Sequence, residues 1–215
     1  MLHPRSHGGI TAVPPPRTEI VGAWQLLERA EAPAEVLTRA LAWCIAQYCN
    51  PRTSPFVPAL GLEHSAFRRT LATVFPGFVP PPRWLEAQDQ TVGDAGPLAE
   101  FQDLRTLLLE HCATPDARHN LVAHLVATAC MGRDHLWQDL GLPERQALSS
   151  LLQEYFPALA IKNSGDMKWK KFFYKQLCER EGLHACKAPS CAACCDYAKC
   201  FAPEAGAAHF QLMPG

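Results

Sequence analysis

Cysteine is the residue type that promises chemistry in this chain, and it is crowded at one end. Ten cysteines occur among 215 residues, and five of them, Cys186, Cys191, Cys194, Cys195 and Cys200, fall within fifteen positions. Cys186, Cys191, Cys194 and Cys200 have the spacing C-x4-C-x2-C-x5-C. Gaps this short let four sulfurs converge on one centre without help from the rest of the fold. Ala188, Ser190, Ala192 and Ala193 are small, and with Pro189 they allow a tight loop whose N–H groups point at the sulfurs. Four soft thiolates select zinc or an iron–sulfur cluster. Zinc sites usually pair two knuckles across a longer loop. Here a single C-x2-C is flanked by lone cysteines, a threading closer to ferredoxin-type sites, which often carry a proline after the last ligand. Pro203 follows Cys200 by three residues. The spacing therefore favours iron–sulfur and leaves structural zinc as its rival. Cys195 adjoins Cys194 and can replace it, stay free, or act as a fifth thiol.

Composition bounds the other readings. With 48% hydrophobic and 19% charged residues the chain can bury a proper core. A net charge of −1 gives no global case for binding nucleic acid or an anionic membrane. No apolar run approaches the roughly 20 residues of a membrane span, and the first residues lack the apolar core of a signal peptide. The expected location is the cytoplasm, where thiols stay reduced and a disulfide framework is disfavoured. No basic patch interleaved with exposed aromatics suits single-stranded nucleic acid. No phosphate-binding glycine loop, nucleophile elbow or His-Glu metal helix occurs. Cys44, Cys49, Cys112 and Cys130 sit on apolar helical faces and read as small buried hydrophobes. His119, His124 and His135 read as capping or core residues before they read as ligands.

The elements that must hold the cysteines read as helices. Apolar residues recur at three and four over 20–30, 34–48, 62–75, 98–112, 119–131 and 143–156. Asp116 is placed to cap the fifth, and Pro76-Gly77 and Pro157 to end the third and sixth. Asp134, Asp139 and Pro143 mark further starts. No stretch alternates like a strand, so the fold class is all-α, a multi-helix bundle with an irregular C-terminal cysteine-rich loop. Residues 1–18 read as a disordered Pro/Gly-rich tail, 19–165 as a helical domain (with halves 19–97 and 98–165), 166–204 as a basic/aromatic helix plus the cluster-binding segment, and 205–215 as a flexible tail. A duplicated helical unit is an option. Leu60-Gly61-Leu62, a helix and Phe75-Pro76 are echoed by Leu140-Gly141-Leu142, a helix and Phe156-Pro157.

Residues 166–182 read as one helix, capped by Asp166 and ended by Gly182 in the left-handed conformation. Trp169, Phe172, Phe173, Gln176 and Leu177 share a side. Lys168, Lys171 and Lys175 lie on another, and between Lys168 and Glu181 five basic residues stand against two acidic ones. The aromatics read as core and the lysines as a solvated face. That face can also balance an anionic thiolate cluster or dock an acidic partner.

The run from Asp166 to Gly182, with its Lys171-Phe172-Phe173-Tyr174 core, followed by Cys186-x4-Cys191-x2-Cys194-x5-Cys200-Phe201, resembles the NifQ family. The string from His135 to Leu142 resembles it too. The resemblance is strongest over roughly 100–204, while the first half matches only in helical, proline-rich character. It implies a protein that supplies molybdenum for assembly of the nitrogenase iron–molybdenum cofactor, a metal donor rather than a catalyst. It implies an iron–sulfur cluster, [4Fe–4S] or molybdenum–iron–sulfur, that takes up molybdenum, with molybdate as the metal source. The recipients it implies are the NifEN scaffold and the NifH protein. Carried over, the family motif lands on Cys186, Cys191, Cys194 and Cys200, and Cys195 lies outside it. Lys187 and Lys199 are placed to attract molybdate or hydrogen-bond the cluster. The competing classes are a [4Fe–4S] electron-transfer protein and a zinc-stabilised helical interaction module.

Overall fold

A computed structural model describes residues 18–50, 57–84, 97–112, 114–182 and 197–204. Among these residues there are only helices and short 3-10 turns, as the all-α expectation requires. The tails, four of the five clustered cysteines and Lys187 lie outside the described residues, apart from Thr18, which already begins the first helix.

Two helix pairs form the centre. Helix α1 (Thr18–Leu27) packs along α2 (Val36–Tyr48), α4 (Pro97–Glu110) packs along α5 (Ala117–Cys130), and α2 touches α5. Helices α2 and α5 are buried almost all round, Leu37 to Tyr48 in one and Val122 to Cys130 in the other. Their enclosed turns are mostly apolar or small, as a largely buried helix demands, with Arg39 and Gln47 of α2 only half-buried. Helices α3 (His64–Val74) and α7 (Arg145–Tyr155) are instead amphipathic. They turn inward only Phe67 and Leu71, and Leu148, Leu151, Leu152 and Tyr155. Between α5 and α7 lies the four-residue α6 (Leu136–Asp139), and α8 (Pro157–Ala160) follows α7.

Local chemistry sets the boundaries. Asp116 caps α5, its carboxylate accepting the N–H groups of Arg118 at 2.8 Å and His119 at 2.9 Å. Glu63 does the same for α3. Pro157 does not end the chain's helical course. It occupies the first turn of α8, where its missing N–H costs nothing. Neither Asp134 nor Asp139 starts a helix: His135 is the N-cap of α6, and Asp139 is its last residue. Helix α7 begins at Arg145, two residues after Pro143.

The two Leu-Gly-Leu segments share a left-handed glycine but not the conformation before it, since Leu60 has φ +54° and Leu140 φ −87°. Gly61 and Gly141 have φ of +70° and +65°, each precedes an 11-residue helix, and each helix ends on a fully buried phenylalanine, Phe75 and Phe156. Descent of the halves from one duplicated unit remains a proposal.

Helix α9 (Trp169–Arg180) follows, and α10 (Tyr197–Phe201) is the last described element. Trp169, Phe172 and Phe173 join the same core as the helix pairs. Gly182 closes α9 in the left-handed region, φ +68°, with its N–H on the Glu179 carbonyl at 3.1 Å. Asp166 does not cap α9. The helix starts three residues later, and Asp166 itself has φ +53° and turns its carboxylate to Arg145 at 2.6 Å.

Candidate metal centre

Cys200 is the one motif cysteine among the described residues. It sits on α10, a helix, where an irregular loop was expected, and it is half-buried. A five-residue helix has too few internal hydrogen bonds to stand alone, so its neighbours place it. The N–H of Lys168 donates to the Cys200 carbonyl at 2.8 Å. Phe201 packs against the core beside Gly165, and Tyr197 stacks on Phe201 at 4.4 Å between ring centroids. Lys199 is exposed beside Cys200.

Glu204 anchors the chain three residues after α10. Its side chain is only 4% exposed, with Arg145 Nη1 at 3.0 Å and His135 Nδ1 at 3.6 Å. Arg145 Nη2 also donates to the Asp166 and Met167 carbonyls at 3.1 and 3.0 Å. The Asn163 side chain holds Met167 from both sides, accepting its N–H and donating to its carbonyl. The turn before α9 is thus a rigid block, and α10 is tied to it at Lys168 and, through Arg145, at Glu204.

Helix α9 is anchored by charge as well as by aromatics. Lys170 does not belong to a solvated face. Its ammonium donates to the Asp139 carboxylate at 2.5 Å and to the Gly132 carbonyl at 3.0 Å, with the two side chains 18% and 8% exposed. Asp139 also accepts the Asp134 N–H at 3.1 Å. Burial pushes the Asp139 carboxyl above its ordinary range, and Lys170 works against that shift. Gly132 permits the approach, since any Cβ there would lie about 2.4 Å from the Asp139 carboxyl carbon. Of the three lysines expected on one side of α9, Lys171 is exposed, Lys168 is half-buried beside Cys200, and Lys175 pairs with Glu179 at 3.3 Å. On the other side Tyr174 donates to the Glu100 carboxylate, and burial and that bond raise the phenol's pKa.

The cysteines of the helical core behave as hydrophobes. Cys44, Cys49 and Cys130 are buried. Burial lifts Cys49 and Cys130 to about 12 and Cys44 well above its usual range, so they stay protonated and inert. Cys112 is half-buried with its thiol on the Tyr155 carbonyl at 3.5 Å. His124 is buried, with Nδ1 3.0 Å from the Leu60 carbonyl, and burial lowers its pKa to about 4. His119 lies on Asp116 at 2.8 Å. Among the described residues no three metal-ligating side chains converge. Arg133, Asp134, His135 and Gln138 line a polar cleft of about 320 Å³.

Sequence reasoning did not single out Asp139, Arg145 or Glu204 for any role at the site. One signal was present: a carboxylate inside the apolar run Leu136 to Leu142 must find a buried partner, and Lys170 beside Trp169 is a cation near the apolar side of its helix.

The NifQ family model matches residues 40–202. That stretch begins inside α2, so the likeness reaches further into the first half than residues 100–204. Protein NifQ of Azotobacter vinelandii is 39% identical over 161 residues, 67% of this chain and 78% of that protein. Protein NifQ of Rhodobacter capsulatus is 38% identical over 176 residues, 80% of this chain and 91% of that protein. A Protein NifQ homolog of Sinorhizobium fredii is 40% identical over 148 residues, 69% of this chain and 63% of that protein. No solved structure matches.

Proposed function

The chain belongs to the NifQ family, and on that footing we propose that it carries molybdenum to the assembly of the nitrogenase iron–molybdenum cofactor. The observation that carries the reading is the C-x4-C-x2-C-x5-C run, whose last thiol stands on a short helix fastened to the outside of an all-α core. The donor set fits an iron–sulfur cluster. It is all-thiolate and closely spaced, and it is distinct from the buried, protonated cysteines of the core. Cys186, Cys191, Cys194 and Cys200 hold the cluster in this reading, with Cys195 the alternative to Cys194. When bound, the cluster supplies the sulfide and iron to which molybdenum attaches.

The protein's own part is to present that centre and admit its cargo. Cys200 is held at the surface by the Lys168 N–H on its carbonyl and by the packing of Phe201. A half-buried thiol is sheltered enough to bind and open enough to exchange. Lys187 and Lys199, each next to a ligand, attract molybdate. If Lys187→Ala and Lys199→Ala leave molybdenum loading unchanged, that role is dropped. Lys168, whose N–H meets Cys200, and the exposed Lys171 of α9 supply positive charge that suits an acidic face on a recipient, for which the NifEN scaffold and the NifH protein are proposed. Among the described residues no helix is long and apolar enough to cross a membrane, and a cytoplasmic setting is part of the proposal.

The test is elemental analysis of anaerobically purified protein for iron, sulfide, molybdenum and zinc, before and after incubation with molybdate and a reductant. Iron, sulfide and molybdenum together are expected. Iron and sulfide that never acquire molybdenum indicate an electron-transfer protein, and zinc alone indicates a structural knuckle.

A further inference from the structure

We infer that Glu204 is a positioning residue for the cluster site, acting through Arg145 and His135 to fix the direction in which α10 presents the Cys200 thiol. The inference rests on the reading of Cys200 as a ligand. Glu204 is four residues past Cys200, beyond the short helix α10, yet its side chain is only 4% exposed. A carboxylate is costly to bury unless it is paired, and this one is paired twice, with Arg145 at 3.0 Å and His135 at 3.6 Å.

The partners matter more than the pairing. Arg145 opens α7 and reaches across to the Asp166 carboxylate and the Asp166 and Met167 carbonyls. The next residue, Lys168, gives its N–H to Cys200. One guanidinium therefore braces both the block that carries the Lys168 contact to Cys200 and the Glu204 carboxylate. Both ties fall at the C-terminal end of α10, one on Cys200 itself and one three residues past Phe201, so they bracket the chain directly after the thiol. Loss of the Glu204 tie leaves α10 with the Lys168 bond and the packing of Phe201, and the thiol then samples more directions. Partners outside a metal's own ligands commonly change affinity by about 10- to 100-fold through such orientation.

The test uses the full-length chain. Reduced apoprotein is treated with iodoacetamide, and labelling at Cys200 and at fully buried Cys44 is followed by peptide mass spectrometry in wild type, Glu204→Gln and Glu204→Ala. The expected result is roughly tenfold faster labelling of Cys200 in both variants, the order of effect of losing a charge-assisted hydrogen bond, with Cys44 unchanged. A rate within twofold of wild type at Cys200 overturns the inference. So does a parallel rise at Cys44, which would make Glu204 a general stabiliser. In anaerobic iron-loaded protein the same variants are expected to lose iron to a chelator faster and to show a shifted visible spectrum. Wild-type protein that holds no iron or sulfide would refute the cluster reading alone, and the alkylation result would still decide the role of Glu204.

Discussion

Replacing Lys170 with methionine isolates the strongest electrostatic tie between α9 and the rest of the core. The substitution keeps the stem and its packing and removes the ammonium. Asp139 then loses its 2.5 Å partner, and the Gly132 carbonyl loses its 3.0 Å donor. The Asp139 side chain is 8% exposed and keeps, among the bonds described above, only the Asp134 N–H at 3.1 Å. Removing one member of a buried pair typically costs about 3–5 kcal/mol, because the surviving charge stays desolvated. The loss of Lys170→Met near neutral pH should lie in that range. The pH dependence follows from the direction of the Asp139 shift. Burial already raises this carboxyl in the folded protein, and Lys170 opposes the rise. Without Lys170 the folded carboxyl rises further, while the unfolded one stays at about 3.9. A raised folded pKa gives stability that is fully present below the unfolded value and is lost as pH rises through the folded value. The gap between variant and wild type should therefore narrow as pH falls from neutrality towards 5. Asp139→Asn combined with Lys170→Met should be milder than Lys170→Met alone. Urea unfolding of reduced apoprotein, followed by far-UV circular dichroism, reads all three quantities. A cost below 1 kcal/mol, or the same cost at both pH values, refutes the reasoning.

His124 supplies a second pH effect of the opposite sign. Its folded pKa of about 4 lies below the ordinary 6.5, so its contribution is complete above 6.5 and is lost as pH falls towards 4, by about 3 kcal/mol in all; His124→Gln, which can still donate to the Leu60 carbonyl, should flatten the urea-unfolding profile across that window. Gly141→Ala must both hold φ near +65° and place a Cβ about 2.4 Å from the Trp43 ring, and should cost about 3 kcal/mol or more. Gly77→Ala, at φ +75° with open space around it, should cost only about 1 kcal/mol, and thermal melts of the pair separate clash from conformation. Cys191→Ala should abolish iron and sulfide retention while leaving the far-UV helical signal intact; loss of helicity as well would make the cluster a folding element.

Helices that bury one clear stripe were legible in the sequence, because the 3.6-residue period is a property of each segment alone. The ranges expected for α3, α4 and α5 lie within three residues of those observed at every boundary. What failed depended on partners elsewhere in the chain. Asp166 has the chemistry of a helix cap, yet Arg145, 21 residues away, claims its carboxylate. Lys170 was counted with its neighbours as part of a positive stretch, whereas Asp139, 31 residues away, withdraws it from solvent. Pro157 stops one helix and starts another, since a proline signal is the same in both cases. Of the candidate site the sequence offered the ligand chemistry, because thiol spacing is local. It did not offer the mount, because that is built from long-range pairs.

The string from His135 to Leu142 shows why such a mount is needed. It carried the family resemblance without an evident chemical role, and the structure gives each of four members a mechanical one. His135 faces Glu204, Gln138 takes the His135 N–H, Asp139 holds Lys170 of α9, and Gly141 lets the chain pass against Trp43. Two of these contacts reach elements flanking the cysteine run in sequence, α9 before it and Glu204 after it. A run of four thiols in fifteen residues brings almost no apolar surface, so it cannot fold onto a core by burial. In the proposed reading the centre surrenders its cargo, and deep burial would then hinder exchange by requiring the protein to open. Fastening α9 and the residues after Cys200 to one short segment suits both constraints. In the proposed reading, binding strength then comes from thiolate chemistry and exchange from exposure. The His135–Leu142 segment sets the balance between them, through Lys170 on one side and Glu204 on the other.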